Sequence, residues 1–159
     1  MPLPAYASQK GKVMLALKDL VLSMAPEGLS GEEVEIREDW LGSTGDPYQG
    51  VSIVDLGEQY DDGTIGTMDI GYIVGIVLAK HRSYDAALAD DRIPQWYESI
   101  RRRVADQRLL VSWSSPSAPR EHVMVVMPGR TMTDPKKWPG YIIRQLVVVS
   151  WIREIPPSY

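Results

Sequence analysis

Thr67–Lys80 constrains the fold more than any other stretch of the chain. Met68, Ile70, Tyr72, Val74, Ile76 and Leu78 make an unbroken apolar row at a spacing of two. Thr67, Asp69, Gly71, Ile73, Gly75, Val77 and Ala79 make the other row, polar or small at first and drier towards its end. A period of two is that of a β-strand, whose side chains alternate between faces. At about 3.3 Å per residue the stretch spans roughly 45 Å. Typical strands have about five or six residues. A strand this long extends beyond its own core or belongs to a projecting hairpin. Gly71 and Gly75 mark places where something approaches the backbone closely. The polar start predicts that the Thr67 end, not the Lys80 end, leaves the core and reaches a neighbour.

The flanking segments predict an α+β domain. Val13, Leu17, Leu20, Val21 and Met24 recur at helical spacing over residues 8–24, and Pro26 and Gly28 end that helix. Glu33–Trp40 alternates as a strand with one wet face, and Gly50–Leu56 is a second short strand. Gly57–Gly66 is an acidic connection containing glycines. Ser83 caps a helical turn over Tyr84–Asp90. Asp91 caps a helix over Arg92–Asp106, with Pro94 in its first turn and Ile93, Trp96, Tyr97, Ile100 and Val104 on its buried stripe. Ser112–Arg120 reads as loop, Glu121–Met127 as strand, Thr131–Gly140 as loop and Tyr141–Glu154 as a second long strand. Short connections imply a mostly antiparallel sheet, with the long strand or hairpin at its centre and both helices packed on one face. With 159 residues, 44% of them hydrophobic, residues 1–159 make a single domain.

Composition removes several classes. The chain has no cysteine, which excludes disulfide scaffolds, thiolate nucleophiles and cysteine zinc sites. The apolar run Ile70–Ala79 is about half the ~20 residues of a membrane helix. The N-terminus has no signal-peptide pattern, so the expectation is a protein made in a cytoplasm and not bound to membrane. The net charge of −4 supplies no basic field for nucleic acid.

Chemistry-bearing motifs are few. The sequence holds no phosphate-binding glycine loop, no Gly-x-Ser-x-Gly and no His-Glu-x-x-His. His81 ends the long strand and His122 opens a later one. Either is a candidate general base, and a sheet could bring the two together. Asp55, Glu58, Asp61, Asp62 and Asp69 form an acidic cluster that no basic residue interrupts. It offers oxygen ligands for a divalent cation, although the spacing matches no EF-hand, or else an acidic contact surface. Arg101, Arg102 and Arg103 fan around a helix, with Glu98 placed to pair with Arg102. Five Trp and eight Tyr without a Phe suit surfaces with one wet side.

The order of these parts resembles the small tail-terminator and tail-completion (neck) proteins of long-tailed bacteriophages. The resemblance rests on the helix Lys10–Met24, a short strand pair, and the strand Gly-Thr-Met-Asp-Ile-Gly-Tyr-Ile-Val-Gly-Ile-Val-Leu-Ala. It continues through Trp96-Tyr-Glu-Ser-Ile-Arg-Arg-Arg-Val and the late strand Val147-Val-Val-Ser-Trp-Ile-Arg-Glu. It implies a structural ring subunit, commonly a hexamer, that is not an enzyme and carries neither cofactor nor metal. Such a ring belongs to the virion and is assembled in the host cytoplasm. It caps the tail tube protein, ends its polymerisation, and meets the head-side neck or connector proteins. DNA passes through its lumen without specific binding. The resemblance carries no site residue over by motif. From the residues themselves, Asp61, Asp62, Asp69, Arg101, Arg102 and Arg103 are the expected subunit interface, because a closed ring joins two different surfaces of one chain. The acidic segment could instead face the lumen. Other readings are a head-completion adaptor or stopper, another tail component, a stand-alone binding module, and a small metal-dependent hydrolase using the acidic cluster.

Overall fold

The computed structural model describes residues 9–25, 34–42, 44–62, 68–83, 88–106, 109–115, 118–130 and 137–154. The elements are α1 (Gln9–Ser23), β1 (Val34–Arg37), β2 (Gly50–Asp62), β3 (Met68–His81), α2 (Ile93–Asp106), β4 (Leu109–Ser115), β5 (Ala118–Arg130) and β6 (Tyr141–Glu154). A single wide turn, Leu88–Arg92, leads into α2. The strands form one sheet in the order β1-β2-β3-β6-β5-β4. Every pairing is antiparallel except β1 with β2. The fold is α+β with a mostly antiparallel sheet, as the sequence predicts.

The long strand is central. β3 pairs along its whole length with β6, from Met68↔Glu154 to His81↔Tyr141, and along most of it with β2. Its apolar row faces the helices. Ile70, Tyr72, Val74, Ile76 and Leu78 share one core with Leu146, Val148 and Ile152 of β6. Val13, Leu17 and Val21 of α1 and Ile93, Trp96, Ile100 and Val104 of α2 complete it. Both helices therefore lie on the same face. The Trp96 indole N–H donates to the Val21 carbonyl at 3.0 Å, so α2 also satisfies an acceptor in the last turn of α1.

A smaller core covers part of the opposite face. Val77, Ala79, Trp138 and Ile143 pack there with Trp40, Leu41 and Tyr141, and Trp40 meets Trp138 edge-to-face at 4.9 Å. Further along this face, towards the β2–β3 hairpin, Val149 and Trp151 lie over Gly71 and Leu56 lies over Gly75. A Cβ at Gly71 would stand 3.0 Å from Val149, and one at Gly75 would stand 3.0 Å from Leu56. The close approach read from these two glycines comes from the chain's own neighbouring strands.

Four expectations need correction. β2 does not stop at Leu56 but runs to Asp62, so much of the acidic connection is strand. A bulge between Asp55 and Gly57 absorbs the glycine, whose φ is 119°. β1 ends at Arg37 instead of Trp40 and is parallel to β2; the connection over residues 38–49, closed by the Leu41↔Pro47 bridge, returns the chain to the same end of the sheet. The Ser- and Pro-rich segment 112–120 is mostly hairpin: β4 turns into β5 with Ser115 opposite Ala118. The exposure expected at the start of β3 lies mainly on β2. Ile70 and Gly71 are buried because β6 covers the other side of β3, while Met68 is 42% exposed. Thr67 and most of Tyr84–Asp90 lie outside the described residues, as does most of the loop Thr131–Gly140.

Candidate functional site

The distal half of the β2–β3 hairpin carries the acidic cluster. β1 covers the outer edge of β2 only from Val51 to Val54. Beyond that point Asp55, Leu56, Glu58, Gln59, Tyr60 and Asp61 are exposed, Tyr60 to 64%. Contrary to the sequence reading, a cation does enter this cluster. Lys10, from the first turn of α1, places Nζ 3.0 Å from Asp55 and 2.6 Å from Glu58, over the Tyr72 ring. The Tyr60 hydroxyl donates to Glu58, and Asp55 accepts the Gly57 N–H at 2.9 Å, which fixes the bulge.

Electrostatics follow from this clamp. The Lys10 ammonium, then the Tyr60 hydroxyl, hold Glu58 below its ordinary 4.5. Partial burial alone would lower Lys10, but the hydrogen bonds to Glu58 and Asp55 outweigh it and raise the group above 10.5. A depressed carboxylate contributes stability that is present above its unfolded pKa and lost as pH falls through the folded value. A raised lysine contributes stability present below its unfolded pKa and lost as pH rises through the folded value. Lys10→Met should therefore lower stability by about 0.5–1 kcal/mol at neutral pH, the scale of a partly exposed ion pair. The deficit should shrink below about pH 4. Urea titrations of both proteins at several pH values check this.

Asp61 and Asp69 are direct cross-strand partners, and Arg153 stands opposite Asp69 on β6. Two like charges side by side are unfavourable. Both carboxylates are on the face away from the helices, whereas Asp55 and Glu58 meet α1. The side chain of Asp62, opposite Met68 in register, lies outside the described residues. The four described acidic residues thus divide between two faces. Among the described residues no group of three or more His, Asp and Glu is arranged to hold a metal ion. This geometry gives the metal-dependent hydrolase reading no support.

The arginines sit on a different part of the molecule, on α2, which packs over β5, β6 and β3. Arg101 pairs with Glu98 at 2.9 Å, while Arg102, the partner expected from sequence, is at 3.8 Å. The Glu98 carboxyl is held below its ordinary range by Arg101. The Arg102 side chain is 75% exposed, and Arg103 is exposed. A shallow open depression here is lined by Pro94, Gln95, Glu98, Ser99 and Arg102. Within one copy the structure brings acidic hairpin and arginine helix to the same side of the sheet only in part, since Asp61 and Asp69 face the other way.

The two histidines do not meet. His81 pairs with Tyr141 and His122 with Ile152, so eleven positions of β6 separate them, about 36 Å. His81 Nδ1 accepts the Ser83 N–H at 3.0 Å and lies 2.6 Å from Ser83 Oγ, while Nε2 lies 3.2 Å from the Pro139 carbonyl. An acceptor at Nδ1 fixes the neutral tautomer, with Nε2–H donating to Pro139. The ring also meets Tyr141 edge-to-face at 4.6 Å. With Asp46, Lys137 and Trp138 it lines an open depression of about 350 Å³. Both ring nitrogens are occupied by backbone of the turns that close this end of the sheet, which makes His81 a staple. Gly140 is part of the staple: its φ is 81°, and a Cβ there would stand 2.7 Å from His81 Nε2. Gly140→Ala should cost about 1–2 kcal/mol from the left-handed backbone alone, plus the clash. The clash portion should vanish in a His81→Ala background, read as the difference in urea midpoints.

Among the described residues no helix is long and apolar enough to cross a membrane. In comparisons with known proteins, no family model matches the chain and no curated protein is significantly similar to it.

Proposed function

We propose that this chain is a structural ring subunit at the neck of a long-tailed bacteriophage, commonly one of six copies. Its ring caps the tail tube, ends tube polymerisation and joins the tail to head-side neck proteins. A head-completion adaptor or stopper of the same virion is the nearest alternative. The observation that carries the reading is the β2–β3 hairpin. Its β2 edge beyond Val54 has no strand beside it among the described residues, and it presents Leu56, 45% exposed, and Tyr60, 64% exposed, next to carboxylates. An edge of this kind suits burial by other copies. Surface chemistry points the same way. Exposed carboxylates on the hairpin and exposed arginines on α2 are two different patches, as a head-to-tail ring contact requires. Passing DNA meets no basic groove in this reading and is not bound specifically.

The test is mass in solution by light scattering at several salt concentrations, with electron microscopy of the same sample. The expected result is a ring with an open channel. A monomer at every concentration would contradict the proposal.

A further inference from the structure

The sheet ends in two edges that fit each other. One is β2 from Asp55 to Asp62, left uncovered where β1 stops. The other is β4, the last strand in the order, with β5 on one side and no strand on the other among the described residues. Four antiparallel pairings separate β2 from β4, so the two strands run in the same direction. They also lie at the same level of the sheet. Gln59 pairs with Gly71, Gly71 with Trp151, Trp151 with Val123, and Val123 with Leu109. Rotation about an axis along the strands therefore carries β4 of one copy to the β2 edge of the next. It arrives parallel, in line with β1, which is itself parallel to β2.

The two edges also differ in charge. β4 reads Leu-Leu-Val-Ser-Trp-Ser-Ser and carries no charged residue of the kind that guards an edge strand against pairing. It follows directly on the arginine end of α2. The β2 edge bears Asp55, Glu58, Asp61 and Asp62, and Lys10 engages the first two.

We infer that the copies join by edge pairing, with β4 of one chain adding in parallel to the Asp55–Asp62 edge of the next, so that one sheet runs around a closed ring. This rests on the ring reading above and gives its contact. Main-chain hydrogen bonds across the seam supply affinity, and the approach of the α2 arginines to the carboxylates on their own face of the sheet, Asp55 and Glu58, sets which edge meets which. Closure removes both free edges, as it does in a barrel.

Cysteine cross-linking tests this on the full chain, which has no cysteine of its own. Gln59→Cys is combined in turn with Leu109→Cys, Ser112→Cys or Ser114→Cys, which covers slips in register. Within one copy β2 and β4 stand four strand spacings apart, about 19 Å, too far for a disulfide. The expected result is a ladder of covalent multiples on oxidation in at least one pair, with no ladder from any single variant or when Thr44→Cys replaces Gln59→Cys. Rings that form by mass but give no ladder in any pair would overturn the edge pairing and leave the ring reading standing. Dimers from Ser112→Cys alone, with nothing larger in the pairs, would overturn it in favour of a two-fold contact. Monomers throughout, with no cross-links, would overturn both.

Discussion

Trp96→Ala should destabilise the chain by about 3–5 kcal/mol, the cost of emptying a large aromatic site in a core. Trp96 is the largest of the fully buried side chains among the described residues, and it joins α2, α1 and the sheet in one core. Against a total stability of about 5–15 kcal/mol, that loss is enough to leave a substantial unfolded population. Trp96→Phe should be far milder, about 1 kcal/mol for the lost N–H bond plus a modest packing defect. The Val21 carbonyl stays partnered in that variant, because it also accepts the Met24 N–H at 3.2 Å. Urea midpoints followed by circular dichroism give both values. Equal effects from the two variants would show that the indole bond, not the filled volume, holds α2 in place.

Reversing the hairpin charge should have the largest effect on assembly. Asp61 is exposed at the end of β2, and Asp62 follows it. Asp61→Lys with Asp62→Lys replaces carboxylates by cations at the edge the neighbour joins; Asp61 lies on the face away from α2, so its charge acts across the edge and not in direct contact with the arginines. Each close like-charge contact costs up to several kcal/mol at an interface. The expected outcome is a folded monomer with an unchanged circular dichroism spectrum. Arg102→Glu alone should weaken assembly in the same direction. The triple variant should recover assembly in part, because one of the three arginines is then replaced by a carboxylate that attracts the new lysines. Light scattering reads all three. Assembly that ignores both the double hairpin change and Arg102→Glu across salt concentrations would remove the charged contact from the account.

The sequence made the core of this fold legible where periodicity was clean. The alternation of Met68–Leu78 located β3, and the three-and-four spacing of Val13–Met24 and Ile93–Val104 located the helices on their common face. It failed where local composition opposed tertiary structure. Gly57 and three carboxylates, Glu58, Asp61 and Asp62, read as loop, yet a bulge and pairing with β3 hold Glu58–Asp62 in strand. The serines and prolines of 112–120 hid a hairpin. Parallel pairing of β1 depends on a crossover that strand alternation does not encode. At the candidate site, the exposed acidic and arginine patches could be read from the chain. Lys10 could not, because its partners Asp55 and Glu58 lie far along the chain and only packing of α1 on the sheet brings them together. The same limit separated His81 from His122: distance along a sheet follows from register, and register was not readable.

Amide hydrogen exchange over residues 55–62 tests the central claim most directly, since that claim is that other copies bury this edge. The account predicts that the alternate amides of this segment that point away from β3 are strongly protected where the ring forms and exchange fast when the same protein is diluted or raised in salt until it dissociates, while those bonded to β3 stay protected in both states. Core amides of β3 should stay protected in both states. Exchange of those outward-pointing amides that is equally fast in assembled and dissociated protein would contradict the account.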